Sequence, residues 1–242
     1  MPAIGNALGL PFGRIRGASA VPPVAGPLIW LDANQEAFAN NDPVGQFTDW
    51  SGNGNHFTSS GTARPTFKTN RINGRPTVQA DGVDDGMLLA SVAAYTEWSL
   101  YVVGRLITDP VTQRNFLSVD DYNPDGVYIL LQYNGGSSAV INANTAPVLS
   151  ATMAAGSAKA YCLTGTASLG TLRASDNTGG SASANFSKAS APMRLFRRGD
   201  GLYINGEIAE FLFYGTKHDT TDRTAVWTYF NTRYGTAIPA TP

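Results

Sequence analysis

Strand-like runs cut at short intervals by Asn-Gly and Asp-Gly pairs constrain this chain more than any other feature. Asn73-Gly74, Asn134-Gly135-Gly136, Asp200-Gly201 and Asn205-Gly206 recur along its 242 residues, together with Asn123-Pro124-Asp125-Gly126. Such pairs supply the positive φ angles of tight hairpins, which join antiparallel neighbours rather than the parallel strands of a βαβ unit. The segments between them, notably 97–106 and 127–133, are rich in β-branched and aromatic residues and read as central strands. The pattern predicts an all-β antiparallel sandwich. Residues 176–190, rich in Ser, Gly and Ala, read as an exposed loop inside the domain, because strand-like sequence resumes at Met193.

One segment breaks the pattern. Near the C-terminus, Asp219 or Thr220 can cap a helix and Asp222 suits its first turn. Val226, Trp227, Phe230 and Tyr234 recur on one face before Gly235. That spacing predicts a single short helix whose aromatics pack against a sheet.

At this length an all-β chain reads as one domain. Apolar residues make up 43% and charged residues 14%, against about 25% in ordinary soluble proteins, so Ser, Thr, Asn and Gly must cover the surface. A net charge of -1 leaves no footprint for nucleic acid. The sequence has no run of 18 apolar residues, so no membrane span is expected. Cys162 is the sole cysteine; lying in Ala160-Tyr161-Cys162-Leu163, it reads as a buried, inert thiol.

Residues 1–27 differ from the rest of the chain. Pro2, Pro11, Pro22, Pro23 and Pro27 alternate with Gly5, Gly9, Gly13, Gly17 and Gly26, a composition that makes an extended arm. No secretory signal is legible in 1–10, which has no basic start and whose apolar residues are interrupted. Ile4, Leu8, Leu10, Phe12, Arg14 and Arg16 are the side chains by which the arm would anchor the domain to something larger.

Chemistry-bearing motifs are sparse. Glycoside cleavage needs two carboxylates on one face. Glu207 and Glu210 are the candidate pair, but a spacing of three sends them to opposite faces of a regular strand, which reads as ordinary surface or salt-bridged residues unless a bulge intervenes. Asp121, Asn123 and Asp125, followed by Gly126, match the front of a calcium loop. The match fails at the twelfth position, Gln132 where a bidentate Glu belongs, and Asn-Pro-Asp-Gly reads better as a plain hairpin turn. Asp81, Asp84 and Asp85 would repel one another without a cation, an Arg or backbone donors. Neither His56 nor His218 has a nucleophile beside it, so no hydrolytic triad is legible. Arg198-Gly199-Asp200 reads as a turn. Sugar binding asks for an aromatic platform beside planar polar groups. Trp50, Asn53, Asn55 and His56 offer that set, as do Tyr122 and Asn123; the competing reading is a core Trp50 beside a rigid turn.

Two ends of the chain carry a resemblance. Leu28-Ile29-Trp30-Leu31-Asp32, Asp49-Trp50-Ser51-Gly52-Asn53-Gly54-Asn55-His56 and Asp81-Gly82-Val83-Asp84-Asp85 stand at the front; 201–214 and the helix stand at the back. Together they resemble LamG-like, concanavalin A-like jelly-roll domains, with Ala80 where that family usually has Phe. The resemblance implies one jelly-roll domain over 28–242 whose first and last strands share the sandwich. The arm, Ile4-Gly5-Asn6-Ala7-Leu8-Gly9-Leu10-Pro11-Phe12, resembles the opening residues of tailed-bacteriophage structural proteins. That resemblance implies a non-enzymatic virion subunit, capsid decoration or tail-associated, assembled in the host cytoplasm and exposed on the particle. Its expected partners are other virion proteins and sister subunits, as in a homotrimer, with host-surface glycans in addition. No cofactor other than calcium is expected. The alternatives are a carbohydrate-binding lectin or adhesin, and a polysaccharide hydrolase or lyase.

Overall fold

The computed structural model describes residues 21–110, 112–119, 129–133, 138–143, 146–188, 190–240 and 242. Sixteen strands and one α-helix are formed among them. In chain order the first eight strands are β1 (Ile29–Asp32), β2 (Gln46–Phe47), β3 (Phe57–Thr58), β4 (Thr66–Ile72), β5 (Arg75–Asp81), β6 (Met87–Val92), β7 (Trp98–Leu106) and β8 (Arg114–Val119). There follow β9 (Ile129–Tyr133), β10 (Ser138–Ala143), β11 (Ala146–Thr152), β12 (Lys159–Gly165), β13 (Gly170–Ala174), β14 (Gly179–Ala182), β15 (Ala191–Leu195), β16 (Asn205–Tyr214) and helix α1 (Thr220–Tyr234).

These strands make two antiparallel sheets. One has the order β14-β13-β12-β7-β16-β5-β4, with β1 also on β16; the other runs β11-β10-β9-β8-β15-β6-β3-β2. The expected two-sheet antiparallel sandwich with one C-terminal helix is therefore what the chain forms. Asn73-Gly74 closes the β4–β5 hairpin with φ angles of 49° and 73°, the double positive pair that a type I′ turn requires.

Strand β16 is the spine. It pairs along one side with β7; along the other it meets β5 over 205–208 and β1 over 210–213, so the first and last strands lie side by side. Ile208, Phe211 and Phe213 face the core between the sheets with Trp98, Leu100, Val102 and Leu163. Leu212 and Tyr214 face outward, where Val226, Trp227, Phe230 and Tyr234 of α1 cover them. Burying each large apolar side chain stabilises the fold by about 1.5–3 kcal/mol. The helix ends follow the sequence reading: Asp219 accepts from the Asp222 N–H at 2.9 Å, and Gly235 stops the helix with a φ of 66°.

Two local expectations are corrected. Asn205-Gly206 is no turn but the start of β16, paired with Asp81 and Ala80. Glycine stands there because the Phe116 ring of the opposite sheet presses on it and on Gly104. Residues 176–190 are not wholly an exposed loop either, since Gly179–Ala182 forms edge strand β14 and Phe186 is buried in the core. A Cβ at Gly104 would sit 2.7 Å from the Glu207 carbonyl oxygen and 2.8 Å from Phe116. Gly104→Ala should therefore destabilise the domain by about 1–3 kcal/mol, the usual cost of overpacking. Urea denaturation measures this, and a variant as stable as the parent would contradict the packing described.

Candidate functional site

Cleavage of a glycosidic bond would draw on the two carboxylates of β16. Gly104 pairs with Ile208 and Val103 with Glu210, so Ala209 is an extra residue, a bulge. The bulge puts Glu207 and Glu210 on the same outer face, correcting the expectation of opposite faces. Both are fully buried and paired with arginines, so they are the salt-bridged residues the sequence allowed rather than surface ones. The Glu207 carboxylate accepts from Arg105 at 2.7 Å on Oε1, and from Arg71 at 2.9 Å and Thr77 at 3.0 Å on Oε2.

Glu210 is held by β1 and α1. Its Oε1 accepts from the Trp30 indole at 2.9 Å and the Tyr229 hydroxyl at 2.7 Å; its Oε2 accepts from Tyr234 at 2.6 Å, with Arg233 Nε at 3.4 Å. Arg233 also pairs with Asp32 at 2.8 Å. Burial pushes the Glu210 carboxyl up to about 7, the Asp32 charge adds to that, and Arg233 and the tyrosine donors pull the other way. All four oxygens of the pair are engaged by neighbouring side chains. The geometry is that of a fastening between strand and helix.

The 49–56 loop is a second fastening. Asp49 Oδ1 accepts from Trp30 N and Ser51 N, and its Oδ2 from Ser51 Oγ and Asn55 N, each at 2.9 Å. The Asn53 amide donates to Pro27 and Leu28 carbonyl oxygens, and the Asn55 amide donates to Leu28 O at 2.8 Å. His56 Nδ1 accepts from the Asp49 N–H at 2.9 Å, so its proton sits on Nε2. These donors are spent on locking the loop to the start of β1. Trp50 differs: it is 37% exposed, which corrects its reading as a core residue.

Trp50 leads to the groove. Its side chain lies near Glu36, whose Oε1 accepts from Thr48 N at 2.7 Å and whose Oε2 accepts from Thr48 Oγ1 at 3.3 Å. Burial raises the Glu36 carboxyl above its ordinary value, against the pull of Thr48 and Trp50, while Asp32 adds to the rise. Glu36 lines a cavity of about 480 Å³ with Asn34, Phe38, Phe67, Thr69 and Asn70, between the segment after β1 and the β4–β5 hairpin. Phe38 and Phe67 form a tilted pair with ring centres 5.8 Å apart. The groove thus joins an aromatic floor, a fixed carboxylate, amides and a hydroxyl, beside an exposed indole. Sequence reasoning found Trp50 but missed Glu36, Phe38, Thr69 and Asn70; the one available signal was an isolated Glu in a chain that uses Asp almost everywhere else.

The remaining sequence candidates are quickly placed. Asp81, Asp84 and Asp85 bring one carboxylate oxygen each within 4.8 Å of one another. Their donors are local: Asp81 N to Asp85, Val83 N to Asp81 and Thr62 Oγ1 to Asp84. Burial raises Asp85 to about 6, aided by its two like-charged neighbours. His218 Nδ1 lies 2.8 Å from the buried Tyr101 hydroxyl, and Cys162 is buried with its thiol pushed up to about 12. Tyr122, Asn123, Asp121 and Asp125 lie outside the described residues, as do Ile4, Leu8, Leu10, Phe12, Arg14 and Arg16 of the arm. Among the described residues no helix is long and apolar enough to cross a membrane.

No protein-family model and no curated protein matches the sequence. Solved structures do match the fold. The chain is similar to the sialidase of Trypanosoma rangeli, with a TM-score of 0.61 and 11% identity, covering 84% of this chain and 33% of the sialidase. It is similar to a GH54 α-L-arabinofuranosidase, with a TM-score of 0.55 and 14% identity, over 85% of this chain and 59% of that one. The binding domain of Paraclostridial Mosquitocidal Protein 1 matches with a TM-score of 0.58 and 11% identity, over 80% of this chain and 52% of that one. In each case the chain spans less than two thirds of the protein it matches, and at these identities the likeness is one of fold.

The Glu210 fastening has a pH signature. A carboxyl whose folded pKa is raised keeps its proton longer in the native state, so stability is fully present below the unfolded pKa and falls as pH rises through the folded value. The melting temperature should therefore decline between about pH 4.5 and pH 7 in a Glu210-dependent way. Glu210→Gln should reduce the slope of that part of the profile, leaving the contributions of Asp85 and Glu36. An unchanged pH profile in the variant would show that Glu210 ionises normally.

Proposed function

We propose that this domain is a carbohydrate-binding module that uses the groove beside Trp50. One observation carries the reading: an exposed indole stands near a carboxylate that lines a groove floored by aromatic rings. Sugars present apolar C–H faces ringed by hydroxyls, and such ligands need a flat aromatic surface beside convergent polar groups. Trp50 supplies the first, while Glu36, Thr69 and Asn70 supply the second.

The fold comparison supports the same class, since the matched structures include a sialidase, an arabinofuranosidase and a toxin's binding domain. The carboxylates of β16 favour binding over cleavage, because donors surround both.

A glycan array followed by calorimetry on the best ligand tests the proposal. Trp50→Ala should weaken binding at least tenfold, about 1.4 kcal/mol, while the melting temperature moves by less than about 3 °C. Asn55→Ala should do the reverse, lowering stability by about 1 kcal/mol through loss of its bond to Leu28 with binding kept. Retention of full affinity in Trp50→Ala, or no glycan bound by the parent protein, would defeat the reading.

A further inference from the structure

We propose that the groove takes sugars without negative charge and rejects sialic and uronic acids. This inference rests on the glycan-binding reading and adds the ligand class. Glu36 is the one ionisable side chain lining the groove among the described residues. The cations flanking the lining residues are turned to other partners. Arg75, between Gly74 and Pro76, donates to the Arg233 carbonyl at 2.7 Å and to Asn34 Oδ1 at 3.2 Å, with its guanidinium 5.8 Å from the Tyr234 ring centre. Lys68, between Phe67 and Thr69, donates to Asn41 Oδ1 at 2.8 Å. Arg71, next to Asn70, is bound to Glu207 at 2.9 Å.

A carboxylate-bearing sugar entering this groove would lose water, face Glu36 and find no guanidinium or ammonium of the described residues aimed at it. Recognition of a sugar carboxylate uses a charge-assisted pair, most often a bidentate Arg, and the groove presents none. What it does present suits hydroxyl and amide groups. Glu36 accepts, the Asn70 amide both donates and accepts, and the Thr69 hydroxyl does either. The Asn70 and Thr69 side chains make no hydrogen bond within the described residues, in contrast to Asn34, whose amide serves Asp32 and Tyr234. The preference is therefore built from two parts: unspent neutral donors and acceptors, and a negative charge with its nearby cations occupied. Although the fold matches about a third of a sialidase, the chemistry of this groove points away from sialic acid.

The full chain should be titrated calorimetrically, at pH 7.5 and low salt, with matched pairs of oligosaccharides that differ only by a terminal sialic acid or by a uronic acid in place of a hexose. The neutral member of each bound pair should bind at least tenfold tighter. Low salt matters, because screening would shrink a difference that is electrostatic in origin. Thr69→Lys places a cation in the groove while leaving Glu36 and Trp50 untouched, and it should narrow the gap to less than about threefold. Glu36→Gln should narrow it in the same direction, with melting temperature checking that each variant is folded. If the acidic member binds as well as or better than its neutral counterpart, the inference is overturned and glycan binding stands. If no oligosaccharide of either kind binds, the glycan-binding reading fails and this inference fails with it.

Discussion

A buried carboxylate at the meeting point of three elements holds this molecule to one arrangement. Glu210 lies on β16, and its partners are Trp30 of β1 and Tyr229, Arg233 and Tyr234 of α1. A charged group taken out of water costs several kcal/mol unless hydrogen bonds replace its hydration. Those bonds exist only when β1 lies in register beside β16 and the helix packs on the outer face at one rotation. Apolar packing alone would tolerate small slips of Phe230 or Trp227 across the sheet. The polar network does not tolerate them, because any slip leaves a buried oxygen or a guanidinium without a partner. The network's contribution is thus better understood as fixing position than as adding stability.

Bulge and network depend on each other. Without the extra residue at Ala209, Glu207 and Glu210 would fall on opposite faces and one carboxylate would enter the apolar core between the sheets. With it, both stay on the outer face, Glu207 with Arg71 and Arg105 and Glu210 with Arg233. The bulge stands where β16 changes partners from β5 to β1, the one place where its ladder is already interrupted. A strand that must serve two neighbours end to end can take an extra residue at the junction with little loss of pairing.

Much of this fold was legible because its strongest signals are local. Asn73-Gly74 makes the turn its backbone preferences demand, Asp219 and Gly235 delimit the helix, and Val226, Trp227, Phe230 and Tyr234 make a face by spacing alone. Asn205-Gly206 misled for a tertiary reason: Phe116, distant in sequence, requires glycine there. The bulge at Ala209 was hidden because nothing local marks it; it shows only in the register of β16 against β7. The site was least legible of all. Asn53, Asn55 and His56 have the composition of a sugar site, yet their hydrogen bonds go to Leu28, Pro27 and Asp49, and composition cannot say which way an amide points.

The groove itself follows from a problem of sheet edges. Strand β4 ends its sheet, and an uncovered edge offers a row of backbone groups to any other chain. Segment 40–44 covers it: Asn41 N donates to Phe67 O, Phe67 N to Asp42 O, Val44 N to Pro65 O, and Thr69 N to the Asn40 side chain. A full strand in that place would have continued the sheet and moved the edge outward. A loop satisfies the edge without continuing it, and its irregular path leaves a gap between residues 34–38 and the β4–β5 hairpin. Polar backbone protection and a shallow concave surface therefore arise from the same few residues. Because the segment is pinned at both sides, through Phe67 and through the Thr48 bonds to Glu36, the gap keeps its shape without a ligand to hold it open.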